Sequence, residues 1–107
     1  MNETNDTQFP YLQAETRIEL PKKSIYCSCV LYARYYSGRL IYGNANTQKP
    51  TKFSNPQVND WVLFGNHVAV VVKVDGETLT IIEANYSSCR VTNRTINVND
   101  KSIVGFK

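Results

Sequence analysis

The residues best suited to chemistry in this chain are a few thiol, imidazole, carboxylate and amide side chains. His67 is the only histidine, and it opens the apolar stretch HVAVVVKV. A second apolar stretch, LTIIEANY, carries Glu83 and Asn85 near its end. A thiolate attacks a carbonyl carbon when a neighbouring imidazole manages its proton and a carboxylate or amide orients the ring. The pattern therefore predicts a nucleophilic site, provided that a cysteine reaches His67.

Of the three cysteines, Cys29 has the strongest physical reason to react. The stretch CVLYARYYSG places residues such as Val30 and Ala33 at helical spacing. Ser28 is the predicted N-cap and Gly38 the predicted stop, so Cys29 falls in the first turn. A helix N-terminus carries about half a positive charge, which favours thiolate over thiol.

The rest of the chain predicts an α+β fold, with the helix first and a sheet after it. Residues 39–59 hold Gly, Asn, Thr, Lys and two prolines, which is typical of a long loop. The apolar runs that follow predict five strands in an antiparallel meander. These strands are expected at Trp61–Gly65, His67–Val74, Thr78–Asn85, Cys89–Ile96 and Ser102–Phe106.

Whether His67 can meet Glu83 depends on the number of residues in the turn between their strands. A two-residue loop of Asp75-Gly76 would place His67 opposite Ala84. Because side chains alternate along a strand, Glu83 would then point to the other face of the sheet. A three-residue loop, 74–76, would place His67 opposite Glu83. The site therefore requires an odd-residue loop or a compensating β-bulge.

Each of these residues also has an ordinary structural interpretation. A lone histidine is more often a surface or hydrogen-bonded residue, a lone cysteine is more often a small buried hydrophobe, and a glutamate at a strand end is usually solvated. The joint arrangement favours the chemical interpretation more than any single residue does. Metal binding is not predicted, because the chain has no C-x-x-C pair and no second imidazole.

Length and composition limit the remaining classes. With 107 residues and 42% hydrophobic residues, the chain can form one domain with its own core. A net charge of +3 is well short of a nucleic-acid-binding signature; it suits a polyanionic matrix such as a bacterial cell wall, but equally an ordinary soluble protein. The start, MNETNDTQFPYL, lacks the basic and apolar regions of a secretory signal, and no apolar run is long enough to span a membrane.

Two blocks of the sequence resemble the CHAP family, the cysteine, histidine-dependent amidohydrolases/peptidases of the papain-like NlpC/P60 superfamily. CVLYARYYSG, residues 29–38, is similar to the nucleophile helix of that family. NDWVLFGNHVAVVVKVDGETLTIIEANY, residues 59–86, is similar to its second block, and the closing IVGFK is similar to its last strand. The resemblance covers residues 24–107 and implies a papain-like fold, in which the helix carrying the cysteine packs on an antiparallel sheet of about five strands.

The resemblance also implies roles for individual residues. Cys29 would be the nucleophile, His67 the general base and acid, and Glu83 the residue that orients the imidazole. Asn85 would be a polar fourth member that helps to hold the ring or the substrate. The family usually has Gln before the nucleophile, whereas this chain has Ser28, so the backbone N–H of Cys29 is the expected oxyanion donor. Neither a cofactor nor a metal is implied, calcium included, because no Asp-rich stretch precedes Cys29.

The implied activity is cleavage of amide bonds in bacterial peptidoglycan, by an N-acetylmuramoyl-L-alanine amidase or an endopeptidase. Peptidoglycan would be the partner, with no nucleic acid and no membrane span. We expect a catalytic domain at 24–107 and an N-terminal arm at 1–23, which could dock on other virion proteins if the enzyme is a virion-associated enzyme rather than a free phage lysin. A non-enzymatic interaction protein on the same scaffold is the main alternative, and a small-molecule amidase or thiol transferase is another.

Overall fold

The structure is a computed structural model, and it describes residues 25–107. The predicted arm, 1–23, lies outside the described residues, as does residue 24. Helix α1 spans Cys29–Ser37, and a single 3₁₀ turn at Ala45–Thr47 lies in the long loop that follows. All five strands come after this loop, so the predicted α+β order of helix and then sheet is confirmed.

Helix α1 begins and ends where the sequence predicts. Ser28 is the N-cap, and its side-chain oxygen accepts a hydrogen bond from the Leu31 N–H at 3.2 Å. At the other end, Gly38 has a left-handed conformation with a φ of 71°, and its N–H donates to the Arg34 carbonyl. These caps satisfy backbone groups that a helix otherwise leaves free. They fix Cys29 as the first residue of the helix.

Five antiparallel strands form one sheet in the order β4-β3-β2-β1-β5. The strands are β1 (Trp61–Leu63), β2 (Val68–Asp75), β3 (Thr78–Ala84), β4 (Val91–Asn97) and β5 (Gly105–Phe106). The predicted five-stranded antiparallel sheet is confirmed, with a helix packed on β2 and β3. The chain is not a simple meander, however, because β5 pairs with β1 at the far edge of the sheet.

Strand β5 is shorter than the sequence predicts. Asp100 accepts hydrogen bonds from both the N–H and the hydroxyl of Ser102, at 2.9 Å and 2.6 Å. The Ile103 N–H also donates to the Asp100 carbonyl. Side chains of Asp offer the backbone this local alternative to strand pairing. The chain therefore turns at 100–103, and only Gly105–Phe106 joins the sheet.

The β2–β3 hairpin closes through a two-residue turn. Asp75 pairs with Thr78, so the loop is Gly76-Glu77, one residue later than the predicted Asp75-Gly76. Gly76 has a φ of 61°, a left-handed conformation that glycine adopts without steric cost. A two-residue loop on its own would not bring the predicted site residues to one face.

A β-bulge in β2 changes which residues of β2 share a face with Glu83. The residue pairs on its two sides are Val71 with Ile81, and Lys73 with Thr80. Val72 lies between them and has no partner on β3. One extra residue reverses the alternation of faces beyond it. The sequence allowed an odd loop or a compensating bulge, and the structure has the bulge.

Two apolar clusters cover the two faces of the sheet. One lies between α1 and the sheet and includes Tyr32 and Val70. The other lies on the opposite face and includes Val71 and Phe106. Because both faces of β2 are buried at the end away from the turn, its first four residues show no exposed position. The site lies at this buried end.

Candidate active site

Cys29 is the free thiol of the chain. Cys27 and Cys89 form a disulfide, so the three cysteines are one bonded pair and one free thiol. Cys29 is the first residue of α1 and is half-buried, where the partial positive charge of the helix N-terminus acts on its sulfur. The disulfide also explains why β4 starts at Val91 and not at Cys89, because Cys89 is held in the loop.

A tight turn between β1 and β2 positions His67. The Phe64 N–H donates to the His67 carbonyl at 2.9 Å, across the two residues Gly65-Asn66. Gly65 has a φ of 95°, which a residue with a Cβ rarely adopts. His67 leaves the turn just before β2, and its side chain is 13% exposed. A Gly-Asn pair between apolar runs is a hairpin signal that our sequence analysis did not use.

The imidazole of His67 lies between Cys29 and Glu83. Its Nε2 is 2.9 Å from Glu83 Oε1, and the same ring acts on the Cys29 thiol and lowers its pKa. Because Nε2 faces the carboxylate, Nδ1 is the nitrogen left for the sulfur. The side chain of Glu83 has no exposed surface, so the contact is shielded from water.

The β-bulge is what puts His67 and Glu83 on one face. If the register between the bulge and the site is continued, His67 lies opposite Asn85. Asn85 and Glu83 are two residues apart and therefore share that face. If Val72 were paired and not bulged, the register next to the Gly76-Glu77 turn would continue along β2 and place His67 opposite Tyr86, and Glu83 would point away from the ring.

Burial and mutual contact act in opposite directions on the Cys29–His67 pair. Burial raises the pKa of the Cys29 thiol, but a hydrogen bond and the charge of His67, with the backbone N–H groups of Val68 and Cys29, outweigh it and lower that pKa. Burial lowers the pKa of His67, yet its hydrogen bonds with Cys29 and Glu83 raise it to about 9. Both shifts favour the thiolate–imidazolium form of the pair, which is the activated form of a cysteine nucleophile.

Arg94, on β4, belongs to this cluster and was missed by the sequence analysis. Its Nε donates to Glu83 Oε2 at 2.6 Å, and its Nη2 donates to Oε1 at 3.3 Å. Burial raises the pKa of the Glu83 carboxyl, but His67 and Arg94 together bring it below its ordinary value. Arg94 pairs with Ile81 and is therefore diagonal to Glu83. The sequence signal was an arginine within a predicted strand, which identifies a partner only once the β3–β4 register is known.

Two aromatic rings lie against both cations of the site. The Phe64 ring centre is 5.8 Å from that of His67 and 5.4 Å from the guanidinium carbon of Arg94. The Tyr86 ring centre is 5.6 Å from that of His67 and 4.4 Å from the same guanidinium carbon. Aromatic faces attract cations, so both rings favour the charged state and restrict the movement of Arg94.

Asn85 contacts the backbone that precedes the nucleophile. Its Nδ2 donates to the Cys27 carbonyl at 3.0 Å. Its φ is 60°, a left-handed conformation that asparagine tolerates better than most residues. Together with the disulfide, this hydrogen bond ties the segment before α1 to the β3–β4 loop, residues 85–90. The structure therefore places the Asn85 amide where it holds the segment that leads to Cys29.

Residues 25–107 contain no group of three or more His, Cys, Asp or Glu side chains arranged to hold a metal ion. Over the same part of the chain, no helix combines the length and the apolar character needed to cross a membrane.

A helix that starts with a cysteine and packs on an antiparallel sheet bearing a histidine is the arrangement of papain-like α+β folds. The family model of the CHAP domain matches residues 21–85, more than half of the chain, and the chain belongs to the CHAP domain family. This family consists of hydrolases, amidases and peptidases that include peptidoglycan hydrolases. Comparisons with curated proteins and with solved structures each give no match. Cys29, His67, Glu83 and Asn85 lie within the matched residues, whereas Arg94 lies beyond them.

Proposed function

We propose that the protein is a cysteine hydrolase that cleaves amide bonds of bacterial peptidoglycan, with Cys29 as the nucleophile. One observation carries this proposal: the free thiol at the start of a helix, Cys29, has its pKa lowered by His67, and His67 is hydrogen-bonded to Glu83. Membership of the CHAP domain family supports the substrate class.

In the first step, the Cys29 thiolate attacks the carbonyl carbon of the amide, and a C–S bond forms while the carbonyl oxygen becomes an oxyanion. The His67 imidazolium then donates its proton to the amide nitrogen, the C–N bond breaks, and the amine leaves. A thioester on Cys29 and a neutral imidazole remain. The lowered pKa of Cys29 and the raised pKa of His67 supply the two charged groups before the substrate arrives.

In the second step, His67 takes a proton from water, and the resulting hydroxide attacks the thioester carbonyl. The C–S bond breaks, the acyl group leaves as a carboxylic acid that gives its proton to solvent, and the thiolate–imidazolium pair is restored. Glu83 holds the ring through Nε2 in both steps, so that Nδ1 keeps facing the sulfur and the substrate.

The oxyanion donor in this proposal is the backbone N–H of Cys29. A first-turn N–H has no partner within the helix, and the helix dipole favours negative charge at that point. Ser28 uses its side-chain oxygen to cap Leu31. We therefore assign the oxyanion to the backbone and not to the residue before the nucleophile.

Asn85 stays in the proposal as the fourth polar residue of the site. The contact that supports its role is the hydrogen bond to the Cys27 carbonyl, two residues before the nucleophile. Holding that segment fixes where the sulfur of Cys29 lies relative to the ring, because small displacements of a reacting group lower the rate steeply.

The test is the loss of turbidity of purified cell walls, with wild type beside Cys29→Ala. We expect clearing by wild type and none by the variant, because no other free thiol is present. The matched control is the double variant Cys27→Ala/Cys89→Ala, which removes two cysteines and keeps the nucleophile. It should clear walls at temperatures at which it stays folded. Equal clearing by wild type and Cys29→Ala would overturn the role of Cys29.

The products identify the bond. Amide cleavage releases new amino groups without new reducing sugar ends, and labelling of the new N-termini separates the two candidate reactions. An N-acetylmuramoyl-L-alanine amidase exposes alanine, whereas an endopeptidase exposes the amine of a stem or cross-bridge residue. No clearing of several wall types by wild type would favour an interaction protein on the same scaffold.

The biological setting that we propose is lysis by a bacteriophage, with the enzyme either free or attached to a virion. Residues 1–23 are the proposed docking segment in the second case. Purified virions should then retain the full chain and fail to retain a chain that lacks 1–23. Equal retention of both chains would place any docking surface elsewhere.

A further inference from the structure

Four ionisable groups that alternate between acid and base run through the site. The Cys29 thiol is followed by the His67 imidazole, the Glu83 carboxylate and the Arg94 guanidinium. Glu83 is fully buried, and Arg94 is 30% exposed, so the row leads from the cleft inward to the carboxylate and back toward the surface. With Arg94 included, the four charges sum to zero.

We propose that Arg94 is a positioning residue for the hydrolysis, acting through Glu83 to hold the imidazole in place and to keep the Cys29 thiolate ionised near neutral pH. This inference rests on the proposed function. It adds a residue beyond the four that the resemblance implies.

The geometry of the Arg94–Glu83 contact supports positioning. A guanidinium donates through a planar fork, and here two of its nitrogens contact both carboxylate oxygens. The carboxylate cannot then rotate without breaking a charge-assisted hydrogen bond. Its Oε1 accepts from Arg94 and faces His67 Nε2 at the same time, so the plane of the carboxylate sets the position of the ring.

Among residues 25–107, the charged groups that act on the Glu83 carboxyl are His67 and Arg94. Tyr86 and Asp100 also act on Arg94, and Asp100 is exposed to solvent. A guanidinium enclosed by Phe64 and Tyr86 is thus directed at a single buried carboxylate.

The sign of the electrostatic effect follows from the charge balance. Without Arg94, the thiolate, imidazolium and carboxylate would sum to one negative charge in a buried place. Removal of a nearby positive charge destabilises the thiolate, so the pKa of the Cys29 thiol would rise. The pH at which Cys29 becomes half ionised should therefore rise when Arg94 is neutralised.

The experiment compares wild type with Arg94→Met and Arg94→Lys. Two quantities are measured: the rate of wall hydrolysis, and the pH midpoint of Cys29 alkylation by iodoacetamide. For Arg94→Met we expect a loss of hydrolysis rate of about 100-fold and a midpoint higher by about one pH unit. Arg94→Lys keeps the charge and loses the fork, so its midpoint should stay near that of wild type while its hydrolysis rate falls about tenfold.

Arg90→Met is the matched control. It removes an arginine from the neighbouring β3–β4 loop, where Arg90 is exposed, and it leaves Glu83 untouched. Both its hydrolysis rate and its midpoint should match wild type. An unchanged midpoint in Arg94→Met would overturn the proposal, even if hydrolysis slows, because a purely structural role would lower the rate without moving the titration.

The alkylation midpoint separates this inference from the proposed function. If wild type hydrolyses no cell wall, the proposed substrate fails, and a midpoint raised in Arg94→Met still supports the action of Arg94 on the thiolate. If wild type hydrolyses walls and the midpoint does not move, the role of Arg94 fails alone. Variants that unfold are identified by circular dichroism. If Arg94→Met unfolds, Arg94→Lys is the test, because a hydrolysis rate equal to that of wild type would overturn the positioning role of the guanidinium fork.

Discussion

The two ends of the β2–β3 hairpin, the turn end at Gly76-Glu77 and the site end at His67 and Glu83, differ in burial, in register and in function. At the turn end, Lys73, Val74 and Asp75 are exposed, and the loop is a regular two-residue turn. At the site end, the first four residues of β2 are buried on both faces, and the last four of β3 are buried too. The unpaired Val72 separates the two registers.

One extra residue, Val72, allows a regular two-residue turn and the site to occupy the same hairpin, although they need different registers. The short turn is favoured by local geometry, since Gly76 adopts its left-handed conformation without steric cost. The site needs His67 and Glu83 on one face, which that turn alone would not provide. The bulge lets each end keep the register that suits it.

The largest effect is expected from insertion of one alanine between Thr80 and Ile81, which gives Val72 a partner on β3 and removes the bulge. The side chains at one end of the hairpin must then change face. If the site end changes face, His67 turns away from Cys29 and wall hydrolysis disappears. If the turn end changes face, the buried Leu79 leaves its cluster at a cost of about 3 to 5 kcal/mol. Chemical denaturation and turbidity assays together detect either outcome.

Val72→Ala is the control for this insertion, because it keeps the chain length and shortens only one partly buried side chain. It should lower the free energy of unfolding by about 1 kcal/mol and retain activity. An insertion variant with the stability and the activity of wild type would contradict the role of the bulge.

A smaller effect is expected from Cys27→Ala/Cys89→Ala, which opens the disulfide at the site end. The bond spans 62 residues of sequence, and its loss should lower the free energy of unfolding by about 3 kcal/mol. Hydrogen exchange should show faster exchange in the β3–β4 loop, residues 85–90, than in the turn at Gly76-Glu77. Uniform acceleration at both ends would mean that the disulfide acts on the whole fold.

Glu83→Gln tests the buried carboxylate itself. It should lower the free energy of unfolding by about 2 kcal/mol near pH 7, because hydrogen bonds to a charged group are lost. The pKa of Glu83 is lowered in the fold, so this contribution is present above its unfolded value and disappears as pH falls through its folded value. The difference between wild type and variant, measured by urea denaturation, should therefore shrink as the pH falls below the ordinary glutamate value of 4.5. A difference that stays constant would show that charge is not its source.

The helix and its caps could be predicted from the sequence, because their signals are local. Ser28 and Gly38 have cap preferences that act within a single turn of chain. The five strands were also recognisable, and the choice of Cys29, His67 and Glu83 followed from residue types together with the family resemblance. The structure brings these three side chains together.

The features that could not be predicted from the sequence depend on pairing between distant residues. Val72 lies in a run of four valines and one alanine, residues 68–72. No residue type in this run marks one position as the bulge. Arg94 required the β3–β4 register, and the Cys27–Cys89 bond joins segments that only the fold brings close. The extent of β5 was overestimated because the Asp100 turn competes with strand pairing.

The smallest effect is expected at Asn85, at the edge of the site end. Asn85→Ala removes the hydrogen bond to the Cys27 carbonyl and puts alanine, which tolerates a left-handed conformation less well than asparagine, at a φ of 60°; the total cost should be about 1 to 2 kcal/mol. Asn85→Gly removes the same hydrogen bond without the backbone strain, so it should cost less. Thermal unfolding of the two variants separates the contributions, and a glycine variant less stable than the alanine variant would contradict the account.

The most direct test of the site is the pH dependence of Cys29 alkylation in the native protein, compared with the same chain unfolded in denaturant without reductant. The disulfide occupies the other two cysteines, so the reaction reports on Cys29 alone. We expect the midpoint of alkylation in the native protein to lie below the value of about 8.5 for the unfolded chain, because His67 and the helix N-terminus stabilise the thiolate. A native midpoint equal to or above the unfolded one would contradict an activated thiolate at Cys29.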